Sequence, residues 1–202
     1  QHTEWYYFSL RATDLVGNVS AVSTSDGFVI DIYPGPPTFV SMTFDTVAEL
    51  LSLTNDRVVY IVLSEPSASM EYEMTSIFPV THTSSLDSDS IQINLNAPFA
   101  SLDTLMFSIS NLTDMVGLDS SYSFTIYTKL IADYNDDGLI DVNDLTTFST
   151  AWMAEDSAME LGPVTGTVPH LIPTLDNVYD LRDIMILARM WQIGRASCRE
   201  RV

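Results

Sequence analysis

Asp133, Asn135, Asp137, Asp141 and Asp144 place five oxygen-bearing side chains within one short stretch. Hard oxygens at alternate positions suit calcium, which takes about six to eight of them in a flexible shell. Gly138 permits the sharp turn such a shell needs, after which the Leu139 backbone carbonyl can turn inward. Ile140 pins the loop to a core, and Asp141 serves directly or through a water. Asp144, in the first turn of a following helix, closes the shell and suits the positive end of the helix dipole. The spacing predicts a calcium loop over 133–144 holding one Ca2+.

The unit recurs with an offset of 39 residues: Asp137 matches Asp176, Asp141 matches Asp180, Asp144 matches Asp183, and Trp152 matches Trp191. The second copy is weaker, because Ile172 and Thr174 stand where the first has Asp133 and Asn135. Asp176, Asp180 and Asp183 remain, and this half is expected to be a metal-free structural copy. Leu145, Phe148 and Trp152 fall at helical spacing, as do Ile184, Leu187 and Trp191, which predicts two equivalent helices burying each other. Residues 131–192 are therefore expected to form a small all-α domain. The acidic loop closed by Asp, leading straight into a helix and then duplicated, resembles a dockerin rather than a signalling EF-hand. That resemblance implies an extracellular bacterial protein and a cohesin-like partner or a neighbouring module of the same chain. It also implies partner contacts from Val142 and Asn143, and from Leu181 and Arg182 in the second copy.

Upstream, β-pattern dominates. Trp5 to Ala12 is aromatic and strand-like, Asp14 to Asn18 is a turn signal, and 27–32 reads as a second strand ended by the Pro/Gly cluster at 34–37. Strands are expected at 38–44, 57–63, 77–81, 90–95, 104–109 and 121–128, with the Ser/Asp-rich 83–90 as a solvated loop. The string from Tyr7 to Asp14 followed by Gly17-Asn18-Val19-Ser20 resembles the last hairpin of fibronectin type III modules. Val59 to Pro66 and Leu112 to Leu118 resemble motifs of bacterial immunoglobulin-like surface domains. The implied organisation is multi-domain: the end of a truncated module at 1–34, an all-β immunoglobulin-like sandwich at 37–130, and the all-α dockerin-like calcium-binding domain at 131–192. The chain starts at Gln1 in mid-pattern, as a fragment of a longer protein would. Residues 193–202 resemble a translated sequencing adapter and read as an artefactual tail; they carry three of the eight basic residues and the lone Cys198.

With 27 acidic and 8 basic residues the formal charge is −19, a field that repels nucleic acid and anionic lipid. No apolar run reaches the length that crosses a bilayer. His2, His82 and His170 show no metal-ligand or catalytic spacing, and so many acids make any chosen carboxylate pair uninformative. Trp152 and Trp191 read as core rather than as a sugar-stacking surface, and the sequons at Asn18 and Asn111 carry little weight. The expected function is a non-catalytic calcium-binding scaffold or attachment segment, extracellular or at the cell surface. Two alternatives are the accessory region of an extracellular carbohydrate-active or proteolytic enzyme, and an adhesin module.

Overall fold

Alternation of apolar and polar residues decides how most of this chain folds. In the computed structural model, which describes residues 5–30, 33 and 35–191, the first stretch is a two-stranded ribbon. Strand β1 (Trp5–Tyr6) pairs with β4 (Phe28–Val29), and β2 (Ser9–Leu10) with β3 (Ser23–Thr24), all antiparallel. Its tip is closed by Asp14, whose Oδ1 accepts the N–H groups of Val16 (3.0 Å) and Asn18 (2.8 Å). Short polar side chains can satisfy turn amides in this way, which is why Asp and Asn recur at such tips. Gln1 to Glu4, the 31–32 end of the second predicted strand, Pro34 and the 192–202 stretch lie outside the described residues.

Seven strands follow: β5 (Phe39–Met42), β6 (Arg57–Leu63), β7 (Ser67–Thr75), β8 (Thr81–Asp87), β9 (Ser90–Asn96), β10 (Thr104–Asp114) and β11 (Asp119–Tyr127). They make a four-stranded sheet in the order β5-β6-β9-β8 and a three-stranded sheet in the order β11-β10-β7. Period-two spacing sends Val59, Ile61 and Leu63 of β6, and Ile91, Ile93 and Leu95 of β9, to one buried face. From the other sheet, Leu105, Phe107, Ile109 and Leu112 of β10 and Ile126 of β11 enter the same core. Two sheets sharing one core is a β-sandwich arrangement. Within β10 the register shifts between Ile109 and Leu112, where Asn111 has φ +49°. Such a bulge lets an eleven-residue strand bend and keep its apolar face inward.

Two helices appear after the sheets: α1 (Val142–Ala154), then a short 3-10 turn (Ser157–Met159), and finally α2 (Leu181–Met190). Between them runs a hairpin, β12 (Val164–Thr167) paired with β13 (His170–Pro173). The hairpin reaches the sandwich: Ser101 N–H donates to the Leu171 carbonyl (2.9 Å), and His170 Nδ1 lies 3.0 Å from the Ser101 carbonyl. The Ser101 hydroxyl also accepts the Ile131 N–H (3.0 Å). Buried side chains then run without a break from the two sheets through Leu130, Ile131 and Leu171 to Phe148, Leu187 and Met190.

Several expectations are corrected here. The chain is mostly β with two short helices, and residues 131–192 do not form a separate all-α dockerin-like domain. The stretch between the helices is partly a β-hairpin, and the buried residues of this half belong to the core that the sheets begin. The Ser/Asp-rich segment is the edge strand β8, whose polar side chains suit an edge that faces water. The 77–81 strand is instead the link into β8, and β7, whose charges mask its alternation, is not among the expected strands, nor are the short strands β3, β12 and β13.

Leu171 is fully buried at the join of hairpin and sheets. Leu171→Ala should lower the unfolding free energy by about 2–5 kcal/mol. Urea titrations followed by tryptophan fluorescence and by far-ultraviolet circular dichroism should give one shared midpoint, since one core serves both halves.

Candidate functional site

A chain that turns sharply between a strand and a helix leaves amide groups without a ladder or a helical partner. Both acidic stretches answer that need with carboxylates. In the first, Asp133 Oδ2 accepts the Gly138 N–H (2.8 Å) and Oδ1 the Asp137 N–H (3.2 Å). Asp137 Oδ1 accepts the Leu139 N–H (2.8 Å), and Asn135 Nδ2 donates to Asp137 Oδ2 (2.9 Å). Gly138 has φ +79°, the left-handed turn expected there. Asp141 is the N-cap of α1, and its Oδ1 accepts the Asn143 N–H (2.8 Å). Asp144 completes a capping box from inside the helix: its Oδ2 takes the Asp141 N–H (2.9 Å) and its Oδ1 the Tyr134 N–H (2.8 Å). It is fully buried, and Ile140 beside it is buried as predicted.

The second stretch repeats the cap. Asp180 caps α2 and accepts the Arg182 N–H (2.7 Å). Asp183, fully buried, takes the Asp180 N–H on Oδ2 (2.8 Å) and the Leu161 (2.9 Å) and Gly162 (3.2 Å) N–H groups on Oδ1. Asp176 Oδ1 accepts the Val178 N–H (3.0 Å). Ile172, at the offset of Asp133, lies in β13, and the Thr174 N–H donates to the Pro163 carbonyl (2.7 Å). Glu160, which the offset did not single out, is buried and accepts the Asp176 N–H (2.6 Å) and the Asn177 N–H (2.9 Å). No spacing rule could find it, because a hairpin separates it from its partners.

Charge is distributed differently in the two stretches. Burial pushes the Asp133 carboxyl above the ordinary carboxylate value; the Gly138 amide opposes this, and repulsion from Asp144 and Asp137 adds to it. Lys129 reaches Asp136 (2.6 Å). Among the described residues, Asp133, Asp137, Asp141 and Asp144 have no ion pair. In the second stretch Arg182 pairs with Asp180 (2.8 Å) and with Asp176 (3.2 Å). Hydrogen bonding from Arg182 holds the Asp180 carboxyl below the usual range. Burial pushes the Tyr179 hydroxyl up to about 12 and the Tyr134 hydroxyl further still.

Of the residues expected to meet a partner, Val142 and Leu181 open their helices with exposed side chains, at 64% and 71%. Asn143 is also exposed, whereas Arg182 is committed to its own chain. Trp152 is half-buried against Phe148 and Tyr179, with ring centroids 5.9 and 5.1 Å apart. Trp191 is more exposed and ends α2, so the matched tryptophans have different surroundings. His82 and His170 each set Nδ1 against a backbone carbonyl.

Removing Asp183 would strand three buried or partly buried amides. Asp183→Ala should therefore cost about 3 kcal/mol or more in urea unfolding, given about 1–3 kcal/mol for each orphaned group. Asp133 gives a pH test. Its folded-state value lies above its unfolded one, so its favourable contribution is complete below the unfolded value and disappears as pH rises through the folded one. In chelator-treated protein, a nuclear magnetic resonance titration of the Asp133 carboxyl carbon should show a midpoint above that of a model aspartate.

Among the described residues, no group of three or more His, Cys, Asp or Glu side chains is gathered where it could hold a metal ion. The first loop is followed by a helix but preceded by strand β11 and a bend, so no helical EF-hand calcium loop is formed. No family model matches the chain, and neither the curated proteins nor the solved structures returned a match. The dockerin resemblance is overturned by the mostly β architecture with two short helices, and no family is shown for any part of the chain.

Proposed function

We propose that this chain is a non-catalytic scaffold or attachment segment of an extracellular or cell-surface protein, and that the 133–144 loop takes up calcium. The first part is supported by the use made of the buried acids. Asp144, Asp183 and Glu160 each hold backbone amides of a remote or adjacent segment. Carboxyl groups engaged in this way tie segments together and are poorly placed to relay protons to a substrate.

Asp133 supports the second part. Its charged form is disfavoured by burial and by the neighbouring Asp137 and Asp144, with no basic side chain against it. A hard divalent ion would relieve that repulsion, and the donors around it are all oxygens. Asp133, Asn135, Asp137, Asp141 and Asp144, with the Leu139 carbonyl, would hold the ion only by drawing together from the separated positions they occupy here. They would do so in competition with the amides they now accept from, which favours weak affinity, on the order of 10⁻⁴ M or weaker. Such affinity suffices where calcium is plentiful, as it is outside cells.

Calcium at about one hundred times its dissociation constant should stabilise the chain by about 2.7 kcal/mol. For a chain of this length that is a rise in Tm of roughly 5–10 °C. Scanning calorimetry with calcium and with chelator checks it, and Asp133→Ala should abolish the rise. An unchanged wild-type Tm overturns the calcium reading.

A further inference from the structure

The two acidic stretches match in hydrogen bonding where they fail to match in sequence. In the first, the Asp133 carboxylate accepts the Asp137 and Gly138 amides; in the second, Glu160 accepts the equivalent Asp176 and Asn177 amides. The residue after each acid also agrees: Tyr134 N–H donates to Asp144 Oδ1, and Leu161 N–H to Asp183 Oδ1, at 2.8 and 2.9 Å. Leu139 donates to Asp137 as Val178 does to Asp176. Gly138 and Asn177 share positive φ, +79° and +59°, and both loops end in an Asp–Asp capping box. Glu160-Leu161 therefore does the work of Asp133-Tyr134, and residues 162–175, with the β12–β13 hairpin, stand where the first loop has only Asn135 and Asp136.

We infer that Glu160 is the first acid of this second loop and that the Arg182 guanidinium is its built-in cation, in the charge role the first loop leaves to an ion from solution. Arg182 sits in the first turn of α2, where the helix dipole disfavours a positive charge. The first loop has neutral Asn143 at that position. What offsets the dipole is the pair of carboxylates it spans: Nη2 lies 2.8 Å and Nε 3.0 Å from Asp180 Oδ2, and Nη1 lies 3.2 Å from Asp176 Oδ2. Asp176 in turn presses on Glu160, whose carboxyl is pushed up chiefly by burial and further by that neighbour. A fork reaching two carboxylates matches guanidinium geometry better than that of an ammonium. Ion pairs this exposed contribute little to global stability, so the effect belongs to the opening of the loop itself.

The proposal rests on the calcium reading only for its second arm. In the first, hydrogen exchange of the 174–183 segment is followed in the full chain at low and high salt. Arg182→Asn should exchange roughly three- to fivefold faster at low salt, with the difference shrinking at high salt. Arg182→Lys should fall between, and Glu160→Gln should speed the same segment while leaving 133–144 unchanged. Equal exchange in wild type and Arg182→Asn overturns the built-in cation, whereas recovery of Arg182→Asn by added calcium supports its charge role. In the second arm, Asn143→Arg should slow exchange of 133–144 in chelator and lose most of the calcium-dependent rise in Tm. An undiminished rise in that variant overturns the exchange of arginine for metal. A wild-type chain with no calcium response overturns the calcium reading alone, and the exchange result then decides the role of Arg182.

Discussion

Asp144 and Asp183 are fully buried at the start of the two helices, and each accepts amides from its own cap and from a segment further away. A carboxyl group in an apolar interior is costly unless its oxygens are used, and amides at a chain reversal are costly unless accepted. Here each need meets the other. The helix is capped and the incoming chain is fixed at the same point, so the start of each helix is set by one buried side chain.

These two anchors would leave the helices loosely attached if nothing joined them to the sheets. The join comes from the β12–β13 hairpin, which bonds to Ser101 and buries Leu171 in the shared core. Gly162 at its base shows how close the packing is: a Cβ there would stand 2.5 Å from Ile186 Cδ1. Each short helix buries only a narrow stripe, Phe148 and Ala151 on α1 and Ile186, Leu187 and Met190 on α2. Helices of this length have little stability alone, so the sheets and hairpin must supply the surface they need.

The acidic excess has a local logic too. Asp14, Asp45, Asp114, Asp141 and Asp180 all accept amides at turns or caps. Much of the negative charge thus arises from the number of sharp reversals that a many-stranded chain must make. Bases are few, and two of them, Lys129 on Asp136 and Arg182 on Asp176 and Asp180, reach into the acidic loops. Asp133, Asp137, Asp141 and Asp144 lack such a partner among the described residues, which separates this part of the first loop electrostatically from the second.

Local patterns in the sequence determined β6 and β9, both helix starts, the turn at Asp14 and the burial of Ile140. Each depends on residues within a few positions of one another, so spacing alone carries the information. Spacing also set out the repeat of Asp141 and Asp144 with Asp180 and Asp183. Only the tertiary structure decided that Glu160 replaces Asp133, because the inserted hairpin removes any fixed offset between acid and amide. It likewise decided that the helices pack into the core begun by the sheets, and that Arg182 turns inward to its own loop. Those outcomes depend on which buried amides lack acceptors and which apolar stripes lack cover. Both quantities exist only once distant segments have met.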